Sequence, residues 1–231
     1  MCPPPRPSTT TQRARTPHGS DRERGIEDAA ALMVPRCLGL TGGIGAGKST
    51  ALAGFAACGA ATLSSDDVVH DLYAQDDVRD LVRERFGAEV FHADGSVDRQ
   101  ALAARAFADP AGIRFLEGVL YPRIQVARDA WVRARRAEGH WRLLVVEVPL
   151  LFEAGLVGTF DAVLVVSAAE STRRERIGSR GQNFAERADR QWTEERKLAA
   201  ADRAFLNDGD PRLLDEWVHA VFTEFATPVI A

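Results

Sequence analysis

The chain has 231 residues, of which 45% are hydrophobic and 27% are charged, and its formal net charge is -4. This size and apolar content predict a globular enzyme with one substantial core, and they exclude a fibre or a disordered chain. The negative charge argues against a nucleic-acid partner, and no apolar run approaches the roughly 20 residues that span a bilayer. We therefore expect a cytoplasmic protein that binds neither nucleic acid nor a membrane.

Residues 1–34 are rich in Pro, Thr, Arg and Ser and have no sustained periodicity. We expect a disordered extension outside the folded domain, which would span residues 35–231. Met33 is then a candidate for the true start of translation. A transit peptide is the alternative, although the run from Pro3 to Pro5 opposes the amphipathic helix that such a peptide needs.

The strongest signal is the string GGIGAGKS at residues 42–49, which fits the phosphate-binding pattern GxxxxGK[ST]. An apolar run, 37–40, precedes it as a predicted buried strand, and a helical stretch, 49–58, follows it. The glycines allow backbone N–H groups to point at an anion, Lys48 adds a positive charge, and Ser49 offers a hard oxygen for Mg²⁺. The pattern predicts nucleoside triphosphate binding, whereas its spacing disfavours a Rossmann dinucleotide site. The helix should bury one face, formed by Leu52, Phe55 and Ala56.

A second predicted strand, 60–63, ends in four polar residues: Ser64, Ser65, Asp66 and Asp67. In a parallel sheet these residues lie at the carboxyl edge, where α/β proteins bind their ligands. There Asp66 could act as the general base toward an acceptor hydroxyl held beside the γ-phosphate. The alternative is that Asp66 or Asp67 only caps the following helix.

Residues 76–139 have helical periodicity throughout, beginning with apolar residues on one face: Val78, Leu81, Val82 and Phe86. Asp98 is expected to cap one helix, and Asp109–Pro110 to open the next one. Pro122 should break or restart that helix. Because this long stretch has no strand, we expect a helical insertion beside the sheet at about residues 71–140.

Three further strands are predicted, at residues 143–148, 162–166 and 204–207. The first two are rich in β-branched residues and should be buried on both faces, and a final helix should run from about 211 to 225. Glu147 is either a water-mediated support for Mg²⁺ or a satisfied carboxylate at the sheet edge. The predicted fold class is α/β, a parallel five-stranded sheet of the P-loop NTPase type flanked by helices. Its core would be formed by residues 35–70, 141–170 and 200–231.

Residues 171–199 are helical and rich in arginine. Such a pattern is typical of a solvated helix face. The alternative is a helical lid that closes over a nucleotide, because phosphoryl transfer needs positive charge around the transferred group. Arg176 and Arg180, spaced i, i+4, are the candidates for that contact. The segment has no NKxD string, which weakens an interpretation as a GTPase.

From about Leu38 to Val218 the sequence resembles the dephospho-CoA kinase family. The resemblance rests on motifs that follow one another in order: LTGGIGAGKST at 40–50, Asp66, Asp98–Arg99, Leu120 with Pro122, PLLFE at 149–153, Arg176 with Arg180, Gln191, Lys197, Ala201–Asp202, and Asn207 with Gly209. It implies transfer of the ATP γ-phosphate to the ribose 3′-hydroxyl of dephospho-CoA, with Mg²⁺ as the metal ion.

The resemblance also implies roles for individual residues. Catalysis would use Lys48, Asp66 and Arg180, and Ser49 would bind the metal ion. ATP would be held by residues of the phosphate loop, the lid and the last strand: Gly43, Ile44, Gly45, Ala46, Gly47, Lys48, Ser49, Thr50, Arg176, Arg180 and Asn207. The small-molecule acceptor would contact the helical insertion and residues 149–153. We expect a monomer or a weak homo-oligomer.

Two positions depart from the family pattern. Ser64 replaces the first carboxylate of the family's DxD motif, which would weaken a metal or water contact there. Tyr121 replaces a histidine and so removes a group that titrates near neutrality. Two rival functions stay open: a kinase for another small acceptor, such as a nucleoside monophosphate, and a nucleotide-dependent binding switch that has no acceptor.

Overall fold

Five parallel strands form the central sheet of the protein. The structure, a computed structural model, describes residues 34–178 and 191–227. The strands are β1 (Arg36–Thr41), β2 (Ala61–Ser64), β3 (Leu143–Glu147), β4 (Ala162–Ser167) and β5 (Arg203–Leu206), in the order β2-β3-β1-β4-β5. The predicted α/β fold with a parallel five-stranded sheet is therefore confirmed. Apart from Val34, the predicted N-terminal extension at residues 1–34 lies outside the described residues.

Helices cover both faces of this sheet. They are α1 (Lys48–Ala57), α2 (Ser65–Tyr73), α3 (Asp76–Phe86), α4 (Arg99–Phe107), α5 (Pro110–Ala137), α6 (Glu170–Ile177), α7 (Glu194–Ala200) and α8 (Pro211–Ala226). Short 3₁₀ turns lie at Ala88–Val90 and Val157–Thr159. None of the described helices has the length and apolar character needed to cross a membrane.

The central strands are buried on both faces, as their sequences predict. Alternate residues face the layer of α1 and α8, where they share one hydrophobic cluster with Phe55 and Val218: Leu38, Leu40, Leu143, Val145, Leu164 and Val166. The intervening residues face the opposite layer: Cys37, Leu144, Val146, Val163 and Val165. On α1 the prediction for Ala56 was wrong, because this residue is exposed. It lies about 100° around the helix from Phe55, on the solvent side.

The predicted helical stretch between β2 and β3 has a hydrophobic cluster of its own. Helices α2 to α5 and the 3₁₀ turn at Ala88–Val90 supply its buried side chains: Val68, Leu72, Val78, Val82, Phe86, Val90, Leu102, Ala106, Val119 and Leu120. Asp98 caps α4, since its carboxylate accepts hydrogen bonds from the N–H groups of Gln100 and Ala101 at 2.9 and 3.0 Å. Asp109 caps α5 in the same way, with Ala111 as the donor at 2.9 Å. Both predicted caps are confirmed.

The expectation that Pro122 breaks or restarts its helix was wrong, because α5 runs without interruption from Pro110 to Ala137. Proline removes one hydrogen bond from a helix and crowds the carbonyl four residues earlier. Here that earlier residue is Gly118, and its surroundings are open. The guanidinium of Arg123 also donates a hydrogen bond to the carbonyl oxygen of Val119 at 2.9 Å. Packing of Val119 and Leu120 into the cluster then keeps the helix continuous through the proline position.

Candidate active site

A glycine-rich loop, residues 42–47, joins β1 to α1 at the carboxyl edge of the sheet. Three of its glycines have positive φ angles: Gly42 at 149°, Gly45 at 79° and Gly47 at 104°. Residues other than glycine rarely adopt such φ angles. A side chain at Gly42 would also overlap the carbonyl oxygen of Val166 on β4, and one at Gly47 would overlap the amide of Asn207. The path of the loop therefore depends on glycine at these positions.

Replacing Gly42 by Ala should lower the free energy of unfolding by more than about 3 kcal/mol, because the new Cβ would collide with the backbone of β4. Urea denaturation followed by circular dichroism measures this change. Gly118→Ala is the matched control, since a Cβ there meets nothing within 4 Å inside α5. That control should gain about 0.5–1 kcal/mol. Similar stability of the two variants would contradict the backbone constraint assigned to Gly42.

Lys48 begins α1, and its ammonium group donates a hydrogen bond to the carbonyl oxygen of Gly43 at 3.1 Å. Desolvation lowers the pKa of Lys48, whereas the nearby carboxylate of Glu147 opposes this shift. Ser49 and Thr50 follow in the exposed first turn of the helix. The N-terminus of a helix favours an anion through its free N–H groups and its dipole. The loop, the ammonium group and the helix start together can bind a phosphate chain.

Ser64 is the N-cap of α2, the helix that starts directly after β2. Its hydroxyl oxygen accepts a hydrogen bond from the N–H of Asp66 at 3.2 Å. Asp66 and Asp67 lie in the first turn, and both are exposed. The alternative in which one of these aspartates caps the helix is therefore wrong. The serine that departs from the family pattern supplies the cap instead.

Glu147 ends β3 between β1 and β2, and only 7% of its surface is exposed. Desolvation raises the pKa of Glu147, Lys48 opposes the shift, and Asp66 adds to it. The hydroxyl of Ser65 donates a hydrogen bond to the carbonyl oxygen of Glu147 at 2.6 Å, which ties the start of α2 to the end of β3. The carboxyl group of Glu147 is thus within electrostatic reach of both Lys48 and Asp66.

A cleft of about 990 Å³ opens at this edge of the sheet. Most of the groups predicted to form the site line it: Ile44, Gly45, Gly47, Lys48, Ser49 and Thr50 of the phosphate loop and α1, Asp66 of α2, Glu147 of β3, Pro149 and Leu150 of the predicted acceptor loop, and Arg176 of α6. Asn207, the predicted ATP contact after the last strand, does not line the cleft. Phe107 of α4 borders the same space. The fold therefore brings together residues that are more than a hundred positions apart in the sequence.

Asn207 and Arg176 brace the phosphate loop from the side of β5. The Asn207 amide, which is buried, donates a hydrogen bond to the carbonyl oxygen of Ala46 at 2.8 Å. The Arg176 guanidinium donates to the carbonyl oxygens of Asn207 at 2.8 Å and of Ala46 at 3.4 Å. Both residues thus contact the loop itself, a supporting role that the sequence pattern did not predict.

The predicted lid, residues 171–199, is described at its two ends by α6 and α7. Arg180 and its neighbours at 179–190 lie outside the described residues. Arg173 on α6 is 8% exposed and donates a hydrogen bond to the carbonyl oxygen of Ala168 at 3.0 Å. Arg174, by contrast, is exposed and pairs with Glu170. A uniformly solvated helix face therefore does not describe α6.

Comparison with known proteins identifies one family. The family model described as dephospho-CoA kinase matches residues 36–212 of the chain. Among curated proteins, the dephospho-CoA kinase of Anaeromyxobacter dehalogenans is 38% identical over 185 residues, which is 78% of this chain and 87% of that protein. The dephospho-CoA kinase of Mycolicibacterium paratuberculosis is 36% identical over 197 residues and 83% of this chain. The match spans only 47% of that longer relative.

Solved structures show the same fold. The crystal structure of TT1252 from Thermus thermophilus matches with a TM-score of 0.66 at 30% identity, over 83% of this chain and 98% of that one. A dephospho-CoA kinase from Campylobacter jejuni matches with a TM-score of 0.59 at 19% identity, over 84% of this chain and 98% of that one. At that lower identity, the second match bears on the fold alone.

Proposed function

The chain belongs to the dephospho-CoA kinase family, and from this membership we infer that it transfers the γ-phosphate of ATP to the ribose 3′-hydroxyl of dephospho-CoA, giving CoA and ADP. The observation that carries the proposal within the structure is the shared cleft. One space is bordered both by the phosphate loop and by Asp66 at the neighbouring strand end. A donor phosphate and an acceptor hydroxyl can therefore meet there.

The chemistry assigned to the residues follows from their positions. The N–H groups of the phosphate loop and the ammonium of Lys48 would hold the β- and γ-phosphates and stabilise the charge of the transition state. Asp66 would orient the 3′-hydroxyl and take its proton. The hydroxyl oxygen then bonds to the γ-phosphorus while the bond to the bridging oxygen breaks, and ADP leaves with that electron pair. We further propose that residues 71–140 and 149–153 hold the rest of the acceptor.

Mg²⁺ is the metal ion that we propose for the site, held by the Ser49 hydroxyl together with phosphate oxygens. Within residues 34–178 and 191–227, no group of three or more His, Cys, Asp or Glu side chains is arranged to hold a metal. This fits an ion that takes one or two protein oxygens and completes its shell with water and substrate phosphates. Ser49 and Glu147 border the same cleft and offer oxygen donors. When bound, the ion would neutralise charge on the phosphates.

A direct assay tests the proposed acceptor. Incubation with ATP and dephospho-CoA should give CoA and ADP in equal amounts, and phosphorus NMR should locate the new phosphate on the 3′-oxygen. The same assay with nucleoside monophosphates serves as the comparison. Phosphate transfer to a nucleoside monophosphate but not to dephospho-CoA would favour the rival kinase. ADP production that no acceptor stimulates would favour the binding switch.

Arg180→Ala should slow the single-turnover rate roughly 10²-fold or weaken ATP binding, because we propose that this lid residue adds positive charge over the transferred phosphate. Rapid-quench measurements with saturating substrates separate the two effects. Arg174→Ala is the matched control, since Arg174 is exposed on α6 and pairs with Glu170. If Arg180→Ala retained the rate of the control, Arg180 would belong to a solvated helix face.

A further inference from the structure

An ion pair between the fully buried Lys197 and the partly buried Glu194 lies next to the phosphate loop. Lys197 on α7 has no exposed surface, and its ammonium donates hydrogen bonds to Glu194 at 3.1 Å and to the side-chain oxygen of Gln191 at 3.0 Å. The other carboxylate oxygen of Glu194 accepts a hydrogen bond from the hydroxyl of Ser167 at 2.5 Å. Lys197 is therefore held on two sides, and Glu194 is held between a lysine and a serine.

The carboxylate of Glu194 contacts the loop closely. A Cβ built on Gly43 would lie 2.7 Å from an oxygen of Glu194 and 3.0 Å from a guanidinium nitrogen of Arg173, so both side chains pack against the backbone of this glycine. On the other side of Gly43, its carbonyl oxygen accepts the hydrogen bond from Lys48. Burial and Glu147 have the largest effects on the pKa of Lys48. Both members of the ion pair also influence this pKa: Lys197 lowers it and Glu194 raises it. The pair is thus close enough to act on charge at the phosphate loop.

The composition of the chain makes this lysine unusual. Only two of the 29 basic residues are lysines, Lys48 and Lys197, and all others are arginines. Lys48 contacts the carbonyl oxygen of Gly43 directly, and Lys197 contacts Glu194, whose carboxylate lies next to Gly43. A lysine is a compact point charge, whereas arginine carries a broad planar group. The enclosed space between Glu194 and Gln191 therefore suits lysine.

A contribution to stability does not by itself explain why this ion pair is present. Burying a charge such as that of Lys197 costs several kcal/mol of desolvation, and well-packed apolar residues often replace a buried ion pair without loss of stability. A carboxylate placed against an anion-binding loop has an additional effect, because without compensation it would repel a bound phosphate chain. We therefore relate the ion pair to phosphate binding by the loop that Glu194 contacts.

We propose that Lys197 is a positioning residue of the nucleotide site: it neutralises and fixes Glu194, which supports Gly43 from behind, so that the loop can accept a triphosphate. This inference rests on the proposed function only in that the loop binds Mg·ATP. The identity of the acceptor does not enter. Lys197 acts through Glu194 and does not contact the nucleotide.

The test compares direct binding of Mg·ATP by calorimetry among four variants, without any acceptor. Lys197→Met should raise the dissociation constant about tenfold or more, because Glu194 then lacks the charge of its lysine partner beside the phosphates. Glu194→Gln should bind Mg·ATP no more weakly than the wild type. The double variant, which removes both charges, should bind within about threefold of the wild type. Arg203→Met removes an equal charge from an exposed pair with Glu224, and it should change nothing.

A merely structural pair predicts a different pattern, in which Lys197→Met and Glu194→Gln weaken binding alike and their combination gives no recovery. That result would overturn the proposal. If circular dichroism shows that Lys197→Met does not fold, Glu194→Gln and the neutral double variant test the proposal instead. Weaker Mg·ATP binding by either of them would overturn the proposal. A folded wild type that binds no Mg·ATP would instead reject the proposed nucleotide site itself.

Discussion

Asp66→Asn is expected to lower kcat roughly 10²-fold or more while the dissociation constant for ATP stays nearly unchanged. Asparagine keeps the size and the position of the side chain on α2 but cannot accept the proton of the acceptor hydroxyl. The exposed carboxylate borders the cleft, and Ser64 already caps the helix, so stability should change little. Steady-state kinetics for turnover and calorimetry for ATP binding measure the two quantities.

Asp67→Asn is the comparison for this variant. Asp67 shares the first turn of α2 with Asp66 and borders the same cleft, so the substitution changes the local charge by the same amount. Its effect on kcat should be much smaller. Near-native turnover of Asp66→Asn, or an equal loss in both variants, would contradict the assignment of Asp66 as the general base.

The second large effect is expected from Lys48→Met, which should reduce kcat roughly 10³-fold and weaken ATP binding as well. The substitution removes the ammonium group that lies in the cleft against the loop, at 3.1 Å from the Gly43 carbonyl oxygen. Methionine keeps the length of the side chain. Single-turnover rates at saturating ATP separate the loss of transition-state stabilisation from the loss of binding.

Lys48→Arg gives the control, because it keeps the charge but not the shape. If charge alone mattered, the arginine variant would retain most of the rate. We expect it to lose activity too, since the broad guanidinium cannot occupy the same position close to Gly43. A Lys48→Met enzyme with a wild-type rate would show that phosphoryl transfer does not depend on this residue.

Elements whose cause is local could be predicted from the sequence. The phosphate loop was found because each glycine and the lysine have a separate reason to be there, and β3 and β4 were found because long β-branched runs indicate strands buried on both faces. The helix starts at Asp98 and Asp109 were predicted because an aspartate directly before a helical pattern can accept hydrogen bonds from the first N–H groups of the helix. In each case a few neighbouring residues determine the structure.

The features that were missed depend on distant contacts. Pro122 lies inside a continuous helix because residues of other helices pack against Val119 and Leu120. The spacing of Glu194 and Lys197 fits an ordinary surface pair on a helix. Nothing local reveals that Lys197 is buried or that Glu194 contacts Ser167 and Gly43. Such placements follow from the tertiary fold and are not visible in a pattern.

The scarcity of lysine also gives this protein an intrinsic set of reporters. Reductive methylation with ¹³C-formaldehyde modifies only amines, so beside the terminal amino group the label can enter just two side chains. The inaccessible ammonium of Lys197 should resist modification, so Lys48 should give the one lysine signal in the spectrum beside that of the terminal amino group. Titration with Mg·ATP would then follow occupancy of the phosphate loop at a single resolved resonance, without mutation or an attached dye.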